Sequence, residues 1–205
     1  MPKHLIVQVV TKLGRTKSET LHDHILDVAS DLFYKYGINN VGISRIIADA
    51  GVAKMTLYGH FGSKDDLVVN YLETRSKAWV DWYRSEVYKM DLSPAQRLRN
   101  SFEVLDTWFR SKNYRGCLVA NAVIELANDD KRVLRVKEEY YANIRKMYRD
   151  LAQEADYENH MFIGEQFFLI LREAMMSAHL DGPDGVVKGC HEYVHFILEN
   201  ARKSS

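Results

Sequence analysis

Apolar residues recur along this chain at the three-and-four-residue spacing of amphipathic helices, without the strict alternation of half-buried strands. Leu21, Ile25, Val28, Ala29, Leu32, Phe33 and Tyr36 form a first stripe. It predicts a helix that starts near Ser18, read as its N-cap, and ends at Gly37. A second helix is predicted from Ile43 to Ala50, closed by Gly51, a residue that tolerates positive φ. A short third follows at about 54–60, where Leu57, with Val52 and Phe61 at its flanks, is spaced to enter a small core. Ser63 with Asp66 three residues on makes a near capping box for a fourth. That helix runs through Leu67, Val68, Tyr71, Leu72, Trp79, Trp82 and Tyr83 to about Tyr88. At roughly 1.5 Å per residue it can connect two domains, and it is read as a lever.

Ser93-Pro94, a serine cap with proline in the first turn, predicts a fifth helix to about Lys112, with Leu98, Phe102, Leu105, Trp108 and Phe109 on one side. Cys117 to Ala127 is apolar except for Asn121 and Glu125, four apart on one face. Such a polar pair either caps neighbouring backbone or meets a ligand. Asn128-Asp129-Asp130 opens a seventh helix marked by Val133, Val136, Tyr140, Ile144, Met147, Tyr148 and Leu151. The eighth, about 159–180, is apolar nearly all round and must be covered on both sides. The ninth runs from Val186 to about Arg202. The expected fold is all-α, with about nine helices.

Composition narrows the class. At 205 residues, 46% hydrophobic and 27% charged, the chain suits one or two globular domains with a substantial core. No apolar run reaches the length of a membrane span, and the start MPKHLIVQVV lacks the features of a secretion signal, so a cytoplasmic location is expected. Cys117 and Cys190 are far apart and are expected to be reduced thiols. The net charge is zero, 28 cations against 28 acids, which argues against a non-specific nucleic-acid coat protein. The charge is uneven, however. Residues 1–18 hold Lys3, Lys12, Arg15 and Lys17 and no carboxylate, and residues 1–17 are read as a basic N-terminal arm.

Candidate chemistry concentrates in residues 51–66. With Val52, Leu57 and Phe61 turned inward, Lys54, Met55, Thr56, Tyr58, Gly59 and His60 are left facing outward or at the rim. A cation, hydroxyl, phenol and imidazole on one short helix suit phosphates and base edges. The run T-L-Y-x-H-F-x-S-K-x-x-L from Thr56 to Leu67, with Gly51 five residues ahead of its threonine, resembles the DNA-binding signature of the tetracycline-repressor (TetR/AcrR) family. The resemblance implies a helix-turn-helix DNA-binding domain over 18–66 and a ligand-binding and dimerisation domain over 67–205. It implies phosphate contacts from Thr56, Tyr58, His60 and Lys64, base-edge contacts from Lys54, Met55 and Gly59, and a further contact from Ser44. Three positions depart from the family pattern: Gly42 for a usual Thr or Ser cap, Ile47 for a small alanine, and Met55 for glycine.

The function so implied is a ligand-responsive transcriptional regulator, not an enzyme, with no cofactor. It would be a repressor released from a pseudo-palindromic operator in double-stranded DNA by a small apolar or aromatic effector. The resemblance places a homodimer interface on the eighth and ninth helices. Trp79, Trp82, Tyr83, Trp108, Phe109, Tyr141 and Phe168, with Asn121 and Glu125 as polar anchors, are the candidate effector residues. One stretch points elsewhere: His191-Glu192-Tyr193-Val194-His195 has the H-E-x-x-H spacing of a zinc hydrolase. It lacks a G-x-x-H extension, and Lys188, Glu192, His195, Glu199 and Arg202 align as a solvated face, so no metal site is assigned.

Overall fold

The computed structural model describes residues 20–89, 91–126 and 130–203. The arm residues Lys3, Lys12, Arg15 and Lys17, the expected cap Ser18, and Ala127, Asn128 and Asp129 lie outside the described residues. The described residues are helical throughout, apart from connecting turns and one isolated bridge between Tyr157 and Lys203. The chain divides into two compact units. The first gathers Met1–Trp79 with Leu118–Tyr140, and the second Val80–Cys117 with Tyr141–Ser205. This division differs from domains split at 66/67, because residues 118–140 join the N-terminal helices.

In the first unit, α1 (Leu21–Tyr36) is capped by Thr20, whose hydroxyl accepts from the Asp23 N–H at 3.2 Å. Thr20 with Asp23 supplies both a cap and first-turn negative charge, so the described helix begins there. Ile25, Leu26, Ala29, Leu32 and Phe33 are buried, while the ends of the stripe, Leu21 and Tyr36, stay exposed. Gly37 terminates α1 at φ 87°, its N–H bonded to the Phe33 carbonyl. α2 (Ile43–Ala50) ends at Gly51 in the left-handed conformation, φ 66° and ψ 32°. α3 (Lys54–Phe61) follows, with Leu57 and Phe61 buried. α4 (Lys64–Lys89) opens on Ser63, which accepts from the Asp66 N–H at 3.0 Å. Leu67, Val68, Tyr71 and Leu72 join the core made by α1, α2 and α3. So do Ala122 of α7 (Leu118–Glu125) and Val133 and Val136 of α8 (Lys131–Glu154). The unit boundary falls inside α4 and α8, after Trp79 and Tyr140.

In the second unit, the segment expected as one helix to Lys112 is two: α5 (Pro94–Asn100) and α6 (Glu103–Phe109). Ser93 and Gln96 form the capping box that starts α5. The break at Ser101 has a tertiary cause. The Ser101 hydroxyl donates back to the Leu98 carbonyl, and its own carbonyl accepts the buried Tyr83 hydroxyl at 3.2 Å. Tyr83 and Tyr148 share a 2.6 Å hydrogen bond, and burial raises the pKa of both phenols. α8 continues here with Ile144, Met147, Tyr148 and Leu151 buried. It meets α9 (His160–Leu180) at Gly164, where an added Cβ would lie 3.0 Å from the Arg149 backbone nitrogen. Glycine is needed there for close approach, not for a special φ. Glu165 beside it bonds both Arg145 and Arg149. Burial acts to raise its pKa, but those two hydrogen bonds outweigh it and the carboxyl ends lowered. α10 (Val186–Glu199) packs along α9, burying Cys190, Val194 and Leu198. No helix among the described residues is long and apolar enough to cross a membrane.

Candidate nucleic-acid interface

The short helix α3 is held from beneath and open above. Leu57 is fully buried and Phe61 nearly so, fixing its rotation. Lys54, Gly59 and His60 are exposed, and Met55 is 81% exposed, an apolar side chain left almost wholly in solvent. Thr56 and Tyr58 are half-buried at the rim. The Lys54 ammonium lies 5.9 Å from the centroid of the Tyr58 ring, so the ring braces the cation in an outward position. No side chain caps either α2 or α3, whose N-cap residues are Gly42 and Ala53. Ser44 is exposed in the first turn of α2.

Lys64 is placed differently from the other basic candidate. It is half-buried, and its ammonium donates to the Ile38 carbonyl at 2.8 Å, tying the start of α4 to the turn before α2. An ammonium carries three donors, so this bond leaves capacity for a phosphate. His60 sits edge-on to His22 at 6.0 Å, and His22 stacks on Phe61 at 4.5 Å. His24 approaches the Ala50 carbonyl at 2.9 Å and so caps the end of α2. Neither His22 nor His24 is singled out by the sequence. Their partners lie some forty and twenty-six positions on, and only the packing of α1 against α2 and α3 brings them together.

The candidate effector residues fall into separate groups. Trp79, Asn121 and Glu125 belong to the first unit; Trp82, Tyr83, Trp108, Phe109, Tyr141 and Phe168 belong to the second. The Glu125 carboxylate accepts the Asn39 N–H at 3.0 Å, and its carbonyl accepts the Asn39 side-chain amide at 2.8 Å. Of the two roles open to it, backbone capping is the one observed. Asn121 is half-buried, and Trp79 packs edge-on to Tyr140 at 5.7 Å. In the second unit Trp82, Trp108 and Phe109 form one run of ring contacts, and Tyr141 with Phe168 forms another at 5.2 Å. All these rings are buried. Burial raises the Tyr141 phenol to about 12, and that of Cys190 lifts its thiol to about 11, which makes Cys190 a packing residue.

The H-E-x-x-H stretch does not assemble a metal centre. His191 lies 3.7 Å from Glu103 and His195 3.1 Å from Glu199, two different carboxylates. Among the described residues no group of three or more His, Cys, Asp or Glu is placed to hold a metal ion. Nothing supports the zinc hydrolase alternative.

Exposed large apolar side chains concentrate on the last two helices. Met161, Phe162, Leu169, Met176 and Leu180 of α9, and Tyr193 and Phe196 of α10, are all exposed.

Comparison with known proteins agrees with this arrangement. The sequence model of the bacterial regulatory proteins of the tetR family matches residues 25–71. An uncharacterized HTH-type transcriptional regulator in the lacX 3'region of Lactococcus lactis is 29% identical over 129 residues, 60% of this chain and 64% of that protein. The HTH-type transcriptional regulator QacR of Staphylococcus aureus is 33% identical over 69 residues, 34% of this chain and 37% of that one. The matches thus span less than two thirds of these curated relatives. Among solved structures, a TetR-family transcriptional regulator from Streptomyces coelicolor superposes with a TM-score of 0.80 at 26% identity, covering 88% of this chain and 95% of that one.

Proposed function

We infer, from the membership of this chain in the tetR family of bacterial regulatory proteins, that it is a dimeric transcriptional regulator that reads duplex DNA with α3 and is released by a small molecule. The observation that carries the reading is the two-sided character of α3, anchored through Leu57 and Phe61 and open at Lys54, Met55 and Gly59. Lys54 donates to guanine acceptors, Met55 packs on thymine methyls, and Gly59 permits close approach. Ser44, Thr56, Tyr58, His60 and Lys64 hold phosphates and fix register, helped by the uncapped N-termini of α2 and α3.

The exposed apolar faces of α9 and α10 support a two-fold dimer. The apolar rings of the second unit support an apolar or aromatic effector bound there. Because those rings are already packed, effector binding has to rearrange them. α4, which begins just after α3 and runs into the second unit, is the covalent route by which the change is read as reaching α3 most directly. Tenfold weaker DNA binding requires the effector to favour the released state by about 1.4 kcal/mol.

The test is selection of bound duplexes from a random-sequence pool. The expected product is an inverted repeat whose half-sites lie about 34–36 Å apart or somewhat more. Failure to enrich any sequence would remove the regulatory reading.

Gly59→Ala separates fold from function. Gly59 has no positive φ, and an added Cβ would meet nothing within 4 Å, so the fold does not require glycine there. Replacing a helix-interior glycine should stabilise the protein by about 0.5–1 kcal/mol. The same methyl group stands on the face assigned to base edges, so DNA affinity is expected to fall as the melting temperature rises. Unchanged affinity would take Gly59 out of the interface.

A further inference from the structure

The corner between α1 and α2 holds a cluster of positive charge that the α3 contacts do not use. Lys35 and Tyr36 end α1, and Arg45 lies in the first turn of α2. The Arg45 guanidinium sits 4.1 Å from the centroid of the Tyr36 ring, and the Lys35 ammonium 4.8 Å from it. All three residues are exposed. Hydrogen bonding from Lys35, and then from Arg45, draws the Tyr36 phenol below its ordinary pKa. Two cations therefore flank one exposed phenol ring. Among the described residues Arg45 has one ion pair, with Asp49 at a loose 3.8 Å.

Two like charges brought together at the surface repel each other, and an exposed cation–π contact returns only about 0.5–1 kcal/mol. A site left with more cations than acids is suited to an anion. Its position says which anion. In a helix-turn-helix the helix before the reader crosses the DNA backbone. Arg45 is next to exposed Ser44 in the first turn of that helix, whose N-terminus no side chain caps. The Tyr36 ring packs against the guanidinium and limits the freedom it would lose on binding. The Tyr36 hydroxyl has its own proton to donate to a phosphate oxygen.

We propose that Lys35, Tyr36 and Arg45 form a phosphate clamp on the DNA backbone, beside and separate from the base-reading face of α3. The proposal rests on the DNA-binding reading above. The clamp adds affinity without sequence information.

The experiment is a salt titration of binding to a fluorescent random-sequence duplex, followed by anisotropy. Arg45→Gln and Lys35→Gln should each flatten the log–log salt slope by about 0.9, and the double variant by about 1.8. Arg45→Lys keeps the charge and should restore the slope. The sequence enriched by pool selection should not change in any of them. Because both side chains are exposed, melting temperatures should hold; if Arg45→Gln fails to fold, Lys35→Gln carries the test. A double variant with the wild-type slope overturns the clamp, as does a changed sequence preference, which would mean base contact. A wild-type protein whose binding to the duplex shows no salt dependence would sink the DNA-binding reading itself.

Discussion

Glutamate in place of both Phe162 and Leu169 is expected to leave the chain folded but monomeric, with operator affinity reduced by about 10²–10⁴-fold. The two residues lie seven apart on α9, so they share one helix face, and they are 64% and 59% exposed. Met176, seven further on, continues the line, and Tyr193 and Phe196 add two large rings on α10, 68% and 67% exposed. Covering a large apolar side chain is worth about 1.5–3 kcal/mol, so a two-fold contact using these residues from both copies has ample driving force. A carboxylate at its centre would be buried without a partner, which costs several kcal/mol per ion. Within a single protomer the same positions face water, so the fold should tolerate the change. The loss in affinity follows from geometry. When one half-site is bound, a dimer presents its second α3 at high effective concentration, and a monomer does not. Sedimentation velocity gives the assembly state, and binding to the selected inverted repeat gives the affinity. A double variant that remains dimeric would move the interface off this face.

Leu57→Ala is expected to lower stability by about 2–5 kcal/mol and to abolish DNA binding at every sequence. Leu57 has no exposed surface and belongs to the core that also holds Ile25, Phe33, Ile46 and Phe61. α3 has only eight residues, too short to be helical without tertiary support, and Leu57 and Phe61 are its two buried positions. Removing one leaves a cavity and half the anchor. Met55→Ala, two residues earlier at an 81% exposed position, is the control: stability should hold while the selected sequence shifts. Thermal unfolding and hydrogen exchange at residues 54–61 measure the first effect. If Leu57→Ala melts like the parent, the account of how α3 is held is wrong.

Much of the fold was legible in the order of residues. The stripe from Ile25 to Phe33, the terminations at Gly37 and Gly51, and the starts at Ser63 and Ser93-Pro94 all stand where the pattern predicted them. The inward set of Val133, Val136, Tyr140, Ile144 and Leu151 was equally plain. So was the open side of α3, where Lys54, Met55, Gly59 and His60 are exposed and Thr56 and Tyr58 sit at the rim. What the pattern of residues left out shares a cause. Ser101 lies in a run that reads as continuous helix, yet Tyr83, eighteen positions earlier, takes its carbonyl. Glu125, for which backbone capping and ligand contact both stood open, binds Asn39, eighty-six positions away. Lys64, read only as a phosphate contact, also bonds Ile38.

The sequence by itself determined the helices, their ends and which side of each is apolar, because caps, positive-φ glycines and hydrophobic spacing act within a few residues of chain. Tertiary structure alone decided which polar groups meet: Glu125 with Asn39, His24 with Ala50, Arg45 with Tyr36. A hydrogen bond or ring contact has a reach of a few ångströms. Whether two residues far apart in sequence come within that reach depends on the packing of whole helices, and no local pattern records it.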